Sequence, residues 1–223
     1  MNIVDYPDRE MLAMDLANRL AGELESHLLR HETVSFAVPG GTTPGAVFDA
    51  LCAADIDWDR VHVFPTDERW VPADHPRSNA RMIGERLITH RAGSARLLPL
   101  SAPGEQPEDV LAEIEAMLIP ELPIAVLLLG MGSDMHVASL FPRAEGLEAA
   151  LDPEAPVLAV LRPETVPEPR ITLTARVLDG ALSKHLVIYG DEKRAALERA
   201  MALPPEEAPV QAILRGTTVH WAE

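Results

Sequence analysis

Ile124-Ala125-Val126-Leu127-Leu128-Leu129, running straight into Gly130-Met131-Gly132, is apolar at every position before the glycines. An alternating pattern would mean a strand with one wet face. An unbroken run means a strand covered on both faces, as at the centre of a parallel sheet. Working outward, the same grammar repeats. Val34-Ser35-Phe36-Ala37-Val38 reads as a strand ending in the turn Pro39-Gly40-Gly41-Thr42-Thr43. Pro44 suits the first turn of the helix that follows, whose Val47, Phe48 and Leu51 fall at helical spacing. Val61-His62-Val63-Phe64 is another strand, opening into a polar loop over 65–79, with a helix over 78–90 after it. Strands are also expected at 157–161, 186–189 and 217–221, and a helix with an acidic start over 191–201. Short strands alternating with helices give an α/β fold, a mostly parallel, Rossmann-like three-layer sheet with helices on both faces. The proline-rich patches at 103–107, 163–169 and 204–209 are short and evenly spread, so they read as loops within one domain over 1–223.

Composition narrows the function. The chain has 223 residues, with 35 acidic against 19 basic, for a formal net charge of -16. Such a field repels nucleic acid, whose binders need a basic stripe, and it repels an anionic membrane surface. An anionic substrate is still allowed, but only at a local cluster of positive charge. The single cysteine, Cys52, excludes an intrachain disulfide and fits a reducing, cytoplasmic setting. No basic start followed by an apolar run marks a signal peptide, and no apolar stretch nears the roughly 20 residues of a membrane span. A monomer is expected.

In such folds ligands bind beyond the carboxyl ends of the strands, so three loops carry the search. In Gly40-Gly41-Thr42-Thr43-Pro44-Gly45, two glycines allow close approach of the backbone, and the first-turn amides and threonine hydroxyls fit a phosphate. A plain tight turn plus helix cap explains the same residues. No Gly-Lys-Ser/Thr follows, so this is not a Walker A loop. In Asp67-Glu68-Arg69-Trp70, Arg69 is placed to grip an anion and Asp67 or Glu68 to orient a base. A surface ion-pair network is the other reading. In Gly130-Met131-Gly132-Ser133-Asp134-Met135-His136, the third glycine of a dinucleotide fingerprint is missing. His136 has a ring whose ordinary pKa suits a general base, unless it merely caps the backbone. His27 and His31 stand four apart near a helix end and read as solvated residues rather than metal ligands, and Cys52 reads as packing. Lys193, in the late helix, is either a plain exposed lysine or a cation at the sheet's carboxyl edge. No zinc-ligand spacing and no nucleophile elbow are present.

Together these stretches resemble the 6-phosphogluconolactonase family. The matching pieces are Val38-Pro39-Gly40-Gly41-Thr42-Thr43-Pro44, Asp67-Glu68-Arg69-Trp70-Val71-Pro72 with Ser78-Asn79, the loop from Leu129 through Ala138-Ser139-Leu140-Phe141-Pro142, Arg170-Ile171-Thr172-Leu173-Thr174, and Gly190-Asp191-Glu192-Lys193. The resemblance implies hydrolysis of 6-phosphoglucono-δ-lactone to 6-phosphogluconate in the oxidative pentose phosphate pathway, without metal or cofactor. It makes His136 the base and Asp67 the group orienting either that histidine or the sugar hydroxyls. It places the phosphate on Gly40, Gly41, Thr42 and Thr43 with Arg69, Arg170 and Lys193. The related glucosamine-6-phosphate deaminases continue their third motif towards Phe-Asn-Glu-Pro, unlike Ala138-Ser139-Leu140-Phe141-Pro142. A sugar-phosphate binder that had lost catalysis would have no need of His136. At Met135 the family usually has glycine. Because a left-handed methionine is strained, Met135 is expected at negative φ.

Overall fold

The apolar run becomes a central strand of a seven-stranded sheet in the computed structural model, which describes residues 1–223. In chain order the strands are β1 (Asn2–Asp5), β2 (Val34–Val38), β3 (Val61–Pro65), β4 (Asp67–Arg69), β5 (Arg96–Leu97), β6 (Val126–Gly130), β7 (Leu158–Leu161), β8 (Arg170–Leu173), β9 (Ser183–Tyr189) and β10 (Thr218–Ala222). The helices are α1 (Arg9–Leu28), α2 (Gly45–Leu51), α3 (Asn79–Arg86), α4 (Leu111–Leu118), α5 (Leu147–Leu151), α6 (Ala175–Asp179) and α7 (Asp191–Ala200). The large sheet has the order β1-β10-β9-β6-β2-β3-β5, and every pair in it is parallel.

Side chains of β6 alternate between two cores, as a strand buried on both faces requires. Val126 and Leu128 join α1, α2 and α3, while Leu127 and Leu129 join α4, α6 and α7. Helices on both faces make the three layers. Helix α1 buries Leu12, Leu16, Leu20, Leu24 and Leu28, a stripe at spacing four, and Asp8 caps it by accepting the Met11 N–H at 2.7 Å. Val47, Phe48 and Leu51 are buried from α2, as their spacing predicts.

The strand order reverses between β2 and β6. From β2 the sheet continues to β3 and β5; from β6 it runs to β9, β10 and β1. The loops leaving the carboxyl ends of these two neighbours therefore diverge and open a crevice.

Several local expectations change. The loop after β3 contains a strand, β4, in a second, antiparallel sheet of order β4-β8-β7. Three charged residues in a row do not look like a strand, yet β8 pairs with them and both acidic side chains are buried. The 157–161 strand belongs to this small sheet rather than to the parallel one. Helix α3 ends at Arg86, short of 90, where β-branched Ile88 and Thr89 and left-handed His90 (φ 48°) break it. Strands β1 and β5, at opposite edges of the large sheet, had no clear signal. No helix is long and apolar enough to cross a membrane.

Candidate active site

A cavity of about 250 Å³ opens where the loops after β2 and β6 part. The loop after β2 forms one wall. Gly41 has φ +84°, the left-handed region that favours glycine. The amides of Gly40, Gly41, Thr42 and Thr43 donate to no group in the chain, so four N–H groups stand free beside the cavity. The threonines do not cap α2; its N-cap is Pro44, and no side chain bonds there. A plain turn-plus-cap therefore does not describe this loop.

The wall from β4 is held by buried carboxylates. Glu68, 2% exposed, accepts from the N–H groups of Arg69, Asn79 and Ala80, each at 2.8 Å, and from Ser78 Oγ at 3.0 Å. It thus satisfies the orphan amides that open α3 from across a loop. Burial raises its carboxyl above the ordinary value against the pull of those four donors. Asn79 Nδ2 donates to the Asp67 carbonyl at 2.8 Å, and its amide fills the space beside Gly40, where a Cβ would come within 1.9 Å of it. Gly40 is needed for that close approach. Asp67 lines the cavity, accepting from Thr66 Oγ1 at 3.1 Å and Ser139 Oγ at 2.6 Å.

Arg69 and Lys193 bring positive charge. The Arg69 guanidinium donates to the Arg77 carbonyl at 2.6 Å, and its buried Nε has no partner. Lys193, in the first turn of α7, also lines the cavity, and burial lowers its ammonium pKa against the opposing charge of Glu192. Arg170 does not line the cavity. It is buried in β8 in direct register with Arg69, 3.3 Å from Glu168. Burial first, and then the charge of Arg69, lower its pKa. Directly opposite Arg69 in the antiparallel pair, Arg170 shares its face of the small sheet but is buried beside Glu168 and is not among the residues lining the cavity.

His136 comes from the third loop. Its Nδ1 lies 2.5 Å from Asp134 Oδ1, and its ring stacks on Phe141 with centroids 4.2 Å apart. Burial pushes the Asp134 carboxyl up, but the hydrogen bond and charge of His136 outweigh it and leave it below its ordinary value. Nε2 makes no hydrogen bond within the chain. Gly132 is also required here, since a Cβ would sit 2.3 Å from the imidazole. The histidine's partner is thus Asp134 and not Asp67, an i, i+2 pair within one loop. Met135 has φ 68°, against the expectation of a negative value. A tight turn imposes it: Met135 N–H donates to the Gly132 carbonyl at 3.0 Å, Gly132 N–H to the His136 carbonyl at 3.1 Å, and Met131 bridges Val137 across the turn. Ala138 and Arg143 are left-handed too, at φ 49° and 61°, so strain concentrates in this stretch.

The model of the family "Glucosamine-6-phosphate isomerases/6-phosphogluconolactonase" matches residues 7–221. The chain belongs to that family. A 6-phosphogluconolactonase of Mesorhizobium japonicum is 41% identical over 97% of this chain and 93% of its own. One of Pseudomonas aeruginosa is 40% identical over 94% and 90%. The crystal structure of a 6-phosphogluconolactonase from Shewanella baltica superposes with a TM-score of 0.96 at 29% identity, covering 100% of this chain and 98% of that one.

Within the family fold, the cavity brings together seven of the residues expected from sequence: Gly40, Gly41, Thr42, Thr43, Asp67, Arg69 and Lys193, with His136 as the eighth. Asn79, Asp134 and Ser139 were given no role in the site, and Glu68, offered as an alternative to Asp67 for orienting a base, instead caps α3. An acidic residue two before a histidine in a glycine-rich loop was a readable signal for Asp134. Nothing in the sequence foretold that Ser139 meets Asp67, 72 residues away. His27 and His31 lie with ring centroids 6.2 Å apart, and no group of three or more His, Cys, Asp or Glu side chains is set to hold a metal.

Proposed function

We propose that the chain hydrolyses 6-phospho-D-glucono-1,5-lactone to 6-phospho-D-gluconate, the reaction named for its relatives, in the oxidative pentose phosphate pathway of the cytoplasm. The observation that carries this reading is His136, with Nδ1 held by Asp134 and Nε2 free beside a cavity that also holds four free amides and two cations. Asp134 accepts the Nδ1 proton and leaves a lone pair on Nε2. That nitrogen takes a proton from water as the water oxygen attacks C1 of the lactone, a step to which a positioned base typically contributes 10²–10⁴-fold. As the tetrahedral intermediate collapses, the C1–ring oxygen bond breaks and the imidazolium returns its proton to that oxygen. The new carboxylic acid then ionises. Asp134 stabilises the imidazolium in between.

The phosphate sits on the amides of Gly40, Gly41, Thr42 and Thr43, with Arg69 and Lys193 as counter-charges in an otherwise acidic protein. Arg170 supports Arg69 from behind, and Asp67 accepts hydroxyls of the sugar ring. No step calls for a metal or an organic cofactor. The whole chain acts as one domain and as a monomer.

A glucosamine-6-phosphate deaminase-like activity is the rival on this fold. Purified protein incubated with freshly generated phosphogluconolactone is expected to consume it well above the spontaneous rate and to release no ammonia from glucosamine-6-phosphate. Ammonia release without lactone loss overturns the reading. Neither activity, with tight sugar-phosphate binding, leaves a pure binding protein.

A further inference from the structure

Ser139 follows His136 by three residues and is 1% exposed, outside the cavity lining. Its neighbours Val137 and Leu140 are both fully buried in the larger core, so packing alone would be met by an alanine at this position. Instead the hydroxyl donates to Asp67 Oδ2 at 2.6 Å, within the short range of charge-assisted O–H···O⁻ bonds. The Ser139 backbone N–H donates to Thr172 Oγ1 at 3.2 Å, and that hydroxyl donates on to the Leu173 carbonyl at 3.1 Å.

Asp67 and Thr172 are direct register partners across the β4–β8 pair. One residue of the histidine loop therefore clamps both members of a cross-strand pair, through its side chain to one and its main chain to the other. Ala138, immediately before it, is left-handed, at φ 49°. Thr66 Oγ1 donates to the other Asp67 oxygen at 3.1 Å, so each carboxylate oxygen has one fixed donor.

We propose that Ser139 is a positioning residue, whose hydroxyl locks the Asp67 carboxylate in register with His136 so that one loop sets both the group that holds the sugar ring and the base that activates water. This inference rests on the role given to Asp67 under the proposed function. A buried carboxylate can rotate about its last bond, and the hydroxyl fixes that rotation. The same contact ties β4 to the loop, so that substrate and base keep one spacing.

The test is a double-mutant cycle read in kcat/KM and in its KM and kcat parts. Ser139→Ala in the otherwise native chain is expected to lower kcat/KM about tenfold, the order for one hydrogen bond to a charged group. In an Asp67→Ala background the same substitution is expected to change kcat/KM less than twofold, because there is no carboxylate left to hold. A residue that merely keeps the loop folded would give equal losses in both backgrounds, and that result overturns the clamp. Unchanged kinetics of Ser139→Ala beside a damaged Asp67→Ala also overturns it, while leaving the role of Asp67 intact. Unchanged kinetics of Asp67→Ala removes Asp67 from substrate binding and the clamp with it. Should Ser139→Ala not fold, Ser139→Cys, which replaces the hydroxyl by a weaker donor, is read in the same cycle.

Discussion

Two histidine sites in this molecule differ in how many ring nitrogens are already engaged. On the β1-β10-β9 side of the sheet, Tyr6 Oη donates to Asp15 at 2.6 Å and meets His220 Nδ1 at 2.9 Å. His220 Nε2 meets His185 Nδ1 at 3.0 Å, and His185 Nε2 meets Glu23 at 2.9 Å. Both nitrogens of both rings are used, and His220 is fully buried. At the crevice, His136 spends only Nδ1, on Asp134, and keeps 29% of its side chain exposed. The first arrangement joins α1 to strands of the sheet and has no valence left for a substrate. The second has one nitrogen oriented and one free. Histidines with closed shells hold structure, and a histidine with an open nitrogen beside a polar cavity is equipped for proton transfer.

The largest expected effect lies on the open side. His136→Ala is expected to lower kcat by about 10²-fold or more with the fold intact, because the residue sits in a loop. Near-normal turnover would erase the distinction between the two sites.

The closed side predicts a stability effect instead. Burial, and then the charges of His185 and Arg19, depress the His220 pKa to about 4. An unfolded histidine takes up its proton near 6.5. The native chain resists protonation in that interval, so the stabilisation is whole above about pH 6.5 and is lost as pH falls towards 4, on the order of 3 kcal/mol in all. Urea unfolding at several pH values checks this. The slope between pH 6.5 and 4 should flatten in His220→Gln, whereas His136→Ala should leave it as in the native chain. Equal slopes in all three proteins would contradict the assignment.

Next come the cations of the crevice. Arg69→Ala and Lys193→Ala should each lose about 1.5–3 kcal/mol of transition-state binding, mainly in kcat/KM, and should discriminate less between phosphorylated and plain gluconolactone. Arg170→Ala should keep more of that discrimination, since it lies behind Arg69. If Arg69 and Lys193 variants retain the native preference, the anion is held elsewhere.

The smallest effect tests the strain of the histidine loop. A left-handed methionine is unfavourable by about 1–2 kcal/mol, and Met135→Gly relieves it while losing the apolar contact of a partly buried side chain. Net stabilisation of under about 1 kcal/mol is expected in thermal unfolding. A clear loss of stability would mean that the methionine's packing outweighs its backbone strain.

The contrast between the two sites also marks what the sequence could tell. The positions of β2, β3, β6, β9 and β10 along the chain were legible as short runs rich in β-branched and apolar residues, most plainly β6, whose run is unbroken because it is covered on both faces, and α2 because its apolar residues keep helical spacing. The cavity loops were legible because glycine and proline punctuate strand ends. Strand β4 was not, because its hydrogen-bonding partner lies about a hundred residues on and its charges are buried only by that pairing. The place of Arg170, buried opposite Arg69 and off the cavity lining, depends on the same pairing, a register the local sequence does not carry. Asp134 lay in plain view two residues before His136, overshadowed by Asp67. The positive φ of Met135 was misjudged because steric preference was weighed without the turn's hydrogen bonds. The closed histidine relay had no signal, since its members are spread from Tyr6 to His220.

The most direct test of the account is turnover by exhaustively chelated protein. Freshly generated 6-phosphogluconolactone is supplied at slightly acid pH, where its spontaneous hydrolysis is slow, and its loss is followed. Full catalysed loss is predicted, because an imidazole held by Asp134 activates water by itself. Abolished turnover that added zinc restores would contradict the account and return the histidines to consideration as ligands.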